Sequence, residues 1–562
     1  MQNLYTDTRV LDRAAVSRFG LTEDILMENA ASALENEVVR ACTDRAADIR
    51  VNCSPVSEYR VLIVAGGGDN GGDGWALARR LNGRMGAGFF CSVAVLEVFP
   101  SKSQACMWQA ERARSACVPV IRNFSRTDLI KNYHLIVDCI FGSGFHGSLS
   151  AQIEKLIAAL NKADCFKIAC DIPSGIDSKG CGTNAFRADV TVCMGALKTA
   201  LFSDFAKNHT GKIITAPLGI PSSLFESGEK SEKNAEAAEP AQISAAAEPV
   251  APAAFGSEMP AAFLLEASDM RLPERFLPSV HKGDFGHAAV YTGEKPGAGI
   301  IAACAAFRCG AGLVSLVSST GQSAPAVKAG QNALPPYAIP PYLMQSSSLP
   351  EKVSAVAAGM GFGRNDDRGA AERAAELFAV LTEKRKLSCV LDADLFYCAD
   401  IKHLLKARSS GLVLTPHPKE FQSLLSLCGL GTVSVEQIVE NRLELVKDFC
   451  SAYPGAVLLL KGANMTIGYC PEKGGKKKDE KTAVYINTFG MPCLAKGGSG
   501  DVLAGLVCAF LAQKYEPLDA AIQGSLLLAA SSRLQKSSYS STPFTLIQSL
   551  EEPEKLKKAL EG

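Results

Sequence analysis

Four stretches of this chain set glycine-rich turns beside carboxylates, so backbone N–H groups can approach an anion while a side chain handles a proton. Val61 to Leu81 reads VLIVAGGGDNGGDGWALARRL: a buried-strand run, a glycine turn carrying Asp69, Asn70 and Asp73, then a helix. A bare dinucleotide-binding turn does not require those three polar residues. IVDCIFGSGFHGSL ends a strand on Asp138 and continues into a second glycine-rich loop, residues 142 to 148. ACDIPSGID places Asp171 and Ser174 at a third strand end. Taken singly, each aspartate serves equally well as a helix cap or turn residue. Three such loops converging beyond the carboxyl ends of one open sheet would make a site. Farther along, NTFGMPCLAKGGSGDVLAGLVCAFL (residues 487 to 511) runs a glycine turn into an apolar helix with Asp501 in its first turn. N–H groups there can stabilise phosphate charge, and Asp501 can accept a hydroxyl proton. Lys496 precedes the glycines, so the spacing is not that of a Walker loop. His417 between two prolines and Lys461 after LLL read, by themselves, as a packed turn and a strand-end lysine.

Strands must carry these loops. YRVLIVAG, CSVAVLEVF, YHLIVDCIF, FKIACDIP and ADVTVCMG in the first half are continuous β-rich runs, the pattern of strands buried on both faces. HAAVYTG, LVSLVSS, AVAAGMG, SCVLDAD, LVLTPH and AVLLLKG repeat the pattern in the second half. Helical periodicity separates them, which predicts α/β architecture: two three-layer αβα domains, each a parallel sheet covered by helices. Residues 223 to 262 are rich in Ala, Glu, Pro and Ser and cannot bury enough surface to offset their ordering entropy. They are expected to be a flexible linker between domains at 1–222 and 263–562. The charge run PEKGGKKKDEKT, Pro471 to Thr482, reads as a solvated hairpin loop between two strands.

A chain of 562 residues suits two cores better than one. Lys plus Arg and Asp plus Glu both total 58, so no global field favours nucleic acid or an anionic membrane. No basic start followed by an apolar run marks a secretory signal, and the longest apolar helix candidate, Ala504 to Ala512, is too short to span a bilayer. The 19 cysteines are scattered, with no CxxC pair and no zinc spacing, as expected of reduced thiols in the cytoplasm.

As an ordered set, GGGDNGGDG, VDCIFGSGFHG, DIPSGID and ADVTVCMGALK, preceded by LMENAA at Leu26 to Ala31, resemble the NAD(P)H-hydrate epimerase family over nearly the whole amino-terminal domain. The resemblance implies a Rossmann-like fold. It places Asp69, Asn70, Gly71, Gly72, Asp73, Gly142, Ser143, Gly144, Phe145, His146, Gly147, Ser148 and Asp171 against the hydrated nucleotide. It gives Asn70, Asp138 and Ser174 a potassium ion to hold, and makes Asp171 the acid/base group. The family usually has two asparagines where this chain has Asp69 and Asn70, which sets an extra carboxylate near the expected anion.

In the second half, HKGDFGHAAVYTG, FRCGAGLVSLV, AAGMGFGR, VLDADLF, TPHPKEF and LLLKGAN precede the GGSGD turn. In order and character they resemble the ADP/ATP-dependent NAD(P)H-hydrate dehydratase family, which is ribokinase-like, across almost all of residues 263 to 530. The resemblance assigns Ala311, Gly361, His417 and Asp501 to the hydrated substrate, and Lys461, Gly462, Ala463, Asn464, Met465 and Gly500 to the adenine nucleotide. Asp501 would take the hydroxyl proton as ADP, with magnesium, phosphorylates that hydroxyl; elimination of phosphate restores NADH or NADPH. ALPPYAIPPYLM (Ala333 to Met344) and Met465 depart from the family pattern. The implied partners are NADH hydrate, NADPH hydrate and ADP, without nucleic acid or membrane, and domains of this type are compatible with a homo-oligomer. A kinase of a small alcohol joined to a non-catalytic binding domain is the alternative.

Overall fold

Runs of β-branched and apolar residues with both faces covered build the strands of the amino-terminal unit, Asn3–Ala261. Its seven strands lie in the spatial order Val120–Ile121, Cys91–Glu97, Tyr59–Ala65, Leu135–Cys139, Phe166–Cys170, Val190–Met194 and Lys212–Ala216. Every pairing is parallel. Successive side chains alternate faces. Val61, Ile63 and Val137 therefore join one core with Trp75 and Leu77, residues of helix Asp69–Gly83, and with Leu34 and Val38 of Glu23–Asn52. Leu62, Val64 and Ile136 join another with Ile153, Leu156 and Leu160 of Ala151–Lys162. Numbered along the chain, the order 3-2-1-4-5-6-7 is that of a Rossmann-like, three-layer fold. The structure is a computed structural model that describes residues 1–561 except 53–57, 85–90, 123–126, 227–259, 274, 276, 319–338, 364–367, 409 and 473–481.

The second unit comprises Ala262–Gly562 with Met1–Gln2. Its parallel core runs Ala456–Leu460, Leu412–Leu414, Ser388–Leu391, Ala355–Ala358, His287–Thr292, Leu313–Ser318 and Met344–Ser346. Beyond Ala456–Leu460, the antiparallel hairpin Met465–Tyr469 and Ala483–Asn487 extends the sheet, followed by Ala262–Leu264. Helix Ser499–Ala512 is apolar on all sides, and Val502 to Ala512 are buried throughout. It packs in one cluster with Pro296–Arg308, Pro517–Arg533 and the inward residues Val390, Val413 and Val457.

The strands Val120–Ile121, Lys212–Ala216, Ala262–Leu264 and Met344–Ser346 are not among the expected ones; they are short or partly exposed and so give weak strand signals. Of the expected linker, residues 223–226 belong to the short helix Ser222–Glu226, which buries Phe225. Residues 227–259 lie outside the described residues, as do 473–481 of the charged loop and 333–338 of the departing segment. The hairpin expected around the charged loop is present.

Where the two central strands of the first sheet end, backbones meet closely: a Cβ on Gly66 would lie 2.0 Å from the Ile140 carbonyl oxygen. Gly66→Ala is expected to destabilise this unit by about 1–3 kcal/mol through forced backbone displacement. Both tryptophans, Trp75 and Trp108, lie in this unit, so a lower urea midpoint in tryptophan fluorescence checks it. An unchanged midpoint would contradict the close approach.

Candidate active sites in the two units

The chain's progress through the first sheet reverses between Tyr59–Ala65 and Leu135–Cys139, and the loops leaving these neighbours part around a crevice. A Cβ on Gly71 would lie 2.0 Å from the Gly66 carbonyl oxygen, so only glycine lets the turn fold back into helix Asp69–Gly83. The side chain of Asn70 then reaches the next loop, its Nδ2 donating to the Phe141 carbonyl at 2.9 Å. Asp138, fully buried, accepts the Ser174 N–H at 2.8 Å and the Ser174 hydroxyl at 2.7 Å. Ser174 Oγ in turn accepts the Phe141 N–H at 2.9 Å. Burial pushes the Asp138 carboxyl up to about 6 against these hydrogen bonds. Asn70, Asp138, Ser174 and the Phe141 carbonyl thus form one cluster of hard oxygen donors.

Asp171 sits just past strand Phe166–Cys170 with φ of 64°, a left-handed conformation that costs a non-glycine residue energy and concentrates at functional sites. Its Oδ1 accepts from Lys198 Nζ at 2.6 Å and from the Met194 N–H at 3.2 Å; its Oδ2 accepts the Ser143 N–H at 3.2 Å. Burial works most strongly against the Lys198 ammonium, but the charge and hydrogen bond of Asp171, with Cys193 and Asp12, together hold the lysine above its ordinary range. Burial, then the charge of Asp171, pushes Asp73 well above the carboxylate range. Asp69 is the first residue of its helix, exposed, where the helix dipole favours a carboxylate. In the 142–148 loop, Gly142 and Ser143 are half-buried, Phe145 stacks on Phe141 at 4.8 Å, and Gly144, His146, Gly147 and Ser148 form an exposed rim. Gly72 is buried against Met27.

In the second unit, Ala355–Ala358, Ser388–Leu391, Leu412–Leu414 and Ala456–Leu460 are parallel neighbours, so their carboxyl ends deliver Gly361, Asp392, His417 and Lys461 to one edge. Lys461 Nζ lies 2.7 Å from Asp392 Oδ1 and 3.6 Å from Glu420 Oε2. His417 caps helix Pro418–Cys428: its Nδ1 accepts the Lys419 and Glu420 N–H groups, while Glu420 accepts the His417 N–H at 2.7 Å. Although Glu420 is buried, His417 and Lys461 hold its carboxyl below the ordinary range. A Cβ on Gly500 would lie 3.5 Å from Lys461 Nζ and 3.7 Å from Asp392 Oδ2, so the glycine turn meets the ion pair. Burial, then the Asp392 charge, pushes Asp501 up to about 6, against the pull of Lys461. A carboxylate that titrates there suits a base working near neutrality. The guanidinium of Arg442 donates to the Asn464 carbonyl at 2.7 Å and the Lys461 carbonyl at 3.4 Å, shaping the 461–464 loop. Gly462 and Ala463 are exposed, but Asn464 and Met465 are buried, so those two can offer a ligand backbone rather than side chain. Lys496 donates to the Tyr539 and Ser541 carbonyls, 2.7 Å each, and braces the turn.

Ala311 is not brought to this edge. It precedes strand Leu313–Ser318, at the amino end of a parallel sheet whose carboxyl ends carry Gly361, His417 and Lys461. A strand of that length separates the edges by roughly 20 Å. The alanine beside Gly361 is Ala298, in the first turn of Pro296–Arg308: a Cβ on Gly361 would lie 3.3 Å from the Ala298 Cβ. PGAG and CGAG look alike as strings of small residues, and only topology tells them apart. Sequence reasoning also leaves Lys198, Asp392 and Glu420 unassigned. Each lies inside a motif it singles out, and a lone charge in an apolar strand-end motif is the signal available.

Two parallel-sheet units, each bringing carboxylates and glycine turns to the carboxyl ends of its strands, define a bifunctional α/β protein of nucleotide chemistry. Residues 23–200 match the family model described as YjeF-related protein N-terminus, and residues 289–552 match NAD(P)H-hydrate dehydratase. The bifunctional NAD(P)H-hydrate repair enzyme of Helicobacter pylori is 38% identical over 98% of this chain and 100% of its own length. That of Pyrobaculum aerophilum is 30% identical over 91% of this chain and 89% of its own. The solved ADP/ATP-dependent NAD(P)H-hydrate dehydratase of Bacillus subtilis, co-crystallised with ATP and magnesium, is 23% identical, covering 51% of this chain and 94% of its own, with a TM-score of 0.37. The chain belongs to the bifunctional NAD(P)H-hydrate repair enzyme family.

Because Ala298 and not Ala311 stands beside Gly361 at the carboxyl edge, Ala298→Leu is expected to raise the dehydratase KM for hydrated nucleotide at least tenfold. Ala311→Ser should leave it within twofold. Steady-state kinetics on the pure S epimer decide, and the reverse pattern would restore Ala311.

Proposed function

We propose that the amino-terminal unit interconverts the R and S epimers of hydrated NADH and NADPH, and that the second unit dehydrates the S form at the expense of ADP. The observation that carries this is one carboxylate in each unit set beside a glycine-rich loop: Asp171 just past a strand end, and Asp501 in the first turn of helix Ser499–Ala512. We assign the first activity to residues 1–222 and the second to 263–562. The family matches at 23–200 and 289–552 support that division. Among the described residues no helix is long and apolar enough to cross a membrane. The scattered cysteines, with no CxxC spacing, support a cytoplasmic address.

Inversion at a carbon bearing both a hydroxyl and a ring nitrogen requires one of those bonds to open and re-form on the other face. Asp171 takes the hydroxyl proton and returns it. Backbone N–H groups of residues 69–73 and 142–148 hold the nucleotide phosphates, as helix starts and glycine loops do. Asn70, Asp138, Ser174 and the Phe141 carbonyl would hold potassium, since their oxygens are the hard donors such an ion takes. Bound there, it would supply a fixed positive charge beside the crevice.

In the second unit a hydroxyl must become a better leaving group. Asp501 removes its proton as the oxygen attacks the terminal phosphoryl group of ADP, releasing AMP. The N–H groups of the Gly497–Gly500 turn stabilise charge on the phosphoryl group in transit. Loss of phosphate, with a proton from the neighbouring carbon, restores the dihydronicotinamide. Lys461 reaches the nucleotide phosphates from the adjacent strand end. Magnesium needs only one or two protein carboxylates when phosphates supply the remaining oxygens, and Asp392 and Glu420 stand beside Lys461. It would neutralise phosphate charge.

With a mixture of both epimers, ADP and magnesium, the wild type is expected to restore all dihydronicotinamide absorbance. Asp501→Asn should restore none, and Asp171→Asn should convert the S fraction while slowing the remainder at least a hundredfold. Because Asp501 acts ionised and titrates near 6, dehydratase kcat should fall as pH drops through about 6. Stable phosphorylated product without phosphate release would instead indicate a small-alcohol kinase.

A further inference from the structure

Three carboxyl groups and one ammonium share the end of strand Phe166–Cys170. Asp171 and Lys198 touch at 2.6 Å, with side-chain exposures of 10% and 3%. Asp73 reaches in from helix Asp69–Gly83 and accepts the Cys170 thiol at 3.7 Å. Asp12, on helix Arg9–Phe19, interacts with both Lys198 and Asp171. Cys193, 3.7 Å from Lys198 Nζ, completes the titratable groups around the pair. Nothing in the proton-transfer reading, on which this inference rests, explains why a lysine is buried here at the cost of its solvation.

We propose that Lys198 is the positioning residue of the epimerase reaction: its ammonium pins Oδ1 of Asp171, leaving Oδ2, beside the Ser143 N–H, to take and return the substrate proton. The two oxygens of Asp171 differ in their surroundings. Oδ1 is held by Lys198 and by the Met194 N–H, both from the segment after strand Val190–Met194 or its last residue. Oδ2 faces the 142–148 loop, whose Ser143 N–H donates to it at 3.2 Å. Lys198 is itself aimed by a third bond, donating to the Met194 carbonyl at 3.0 Å. The strained φ of Asp171 is therefore over-determined by its partners. Charge gives the second argument. Clustered carboxylates cannot all ionise without a cation. The Lys198 ammonium sets a compensating charge against Asp171, while burial and the charge of Asp171 push the Asp73 carboxyl upward.

The test follows conversion of the pure R epimer to S in the full-length protein without ADP, so that dehydration does not intervene. Lys198→Met is expected to lower epimerase kcat at least tenfold at neutral pH, with KM within threefold. The rate should recover as pH rises, because an Asp171 without its cation binds a proton more tightly and the acid limb moves up. Emission of buried Trp75 should stay at the wild-type wavelength, reporting an intact unit. Lys198→Arg, which keeps the charge, should return the limb to its wild-type position. Wild-type kcat and acid limb in Lys198→Met would overturn the proposal, as would an equal loss at every pH with unchanged emission. If Lys198→Met loses the buried-tryptophan emission, Lys198→Arg decides: a wild-type limb supports the assignment and a displaced one overturns it. Full epimerase activity in Asp171→Asn would remove the underlying reading of Asp171, and this proposal with it, whatever the lysine variants do.

Discussion

A carboxylate at the carboxyl end of a strand covered on both faces has lost most of its water, and it stays charged only if a cation or several donors replace that water. Both units meet this constraint in the same way, with a lysine delivered from beyond another strand of the same sheet: Lys198 on Asp171 at 2.6 Å and Lys461 on Asp392 at 2.7 Å. Such pairs add little net stability. Removing one partner alone nevertheless costs about 3–5 kcal/mol, because the other charge is left buried. Their worth lies in geometry, since each pair fixes where a carboxylate points.

Parallel topology makes this arrangement available. Strands that all run one way expose their carboxyl ends along one edge, so residues far apart in the chain arrive side by side. Asp138, Asp171 and Lys198 do so in the first sheet, and Gly361, Asp392, His417 and Lys461 in the second. Glycines permit the remaining approach. Gly66 and Gly71 let one turn fold against the next strand end, and Gly500 lets helix Ser499–Ala512 start against the Lys461 pair.

Much of this was legible in the residues. Long apolar runs marked the central strands, because full burial leaves no alternation to obscure them. The loops carrying Asp69 to Asp73, Gly142 to Ser148 and Asp501 announced themselves through glycine beside carboxylate. Edge strands such as Lys212–Ala216 and Met344–Ser346 did not, since their exposed residues are as polar as those of a loop. The partners of the buried carboxylates were hidden for another reason. An ion pair between residues 69 apart, as in Asp392 and Lys461, leaves no local pattern. Ala311 was mistaken for Ala298 because small residues near glycines are alike in sequence and differ only in which edge of the sheet they occupy.

Two sites on one chain are expected to act in series, and the pure R epimer tests this most directly. Supplied with R-NADH hydrate, ADP and magnesium as sole reactants, the protein should restore NADH completely, releasing one AMP and one phosphate for each NADH. Recovery with the S epimer but none with R beyond its spontaneous epimerisation would contradict the assignment of the first unit.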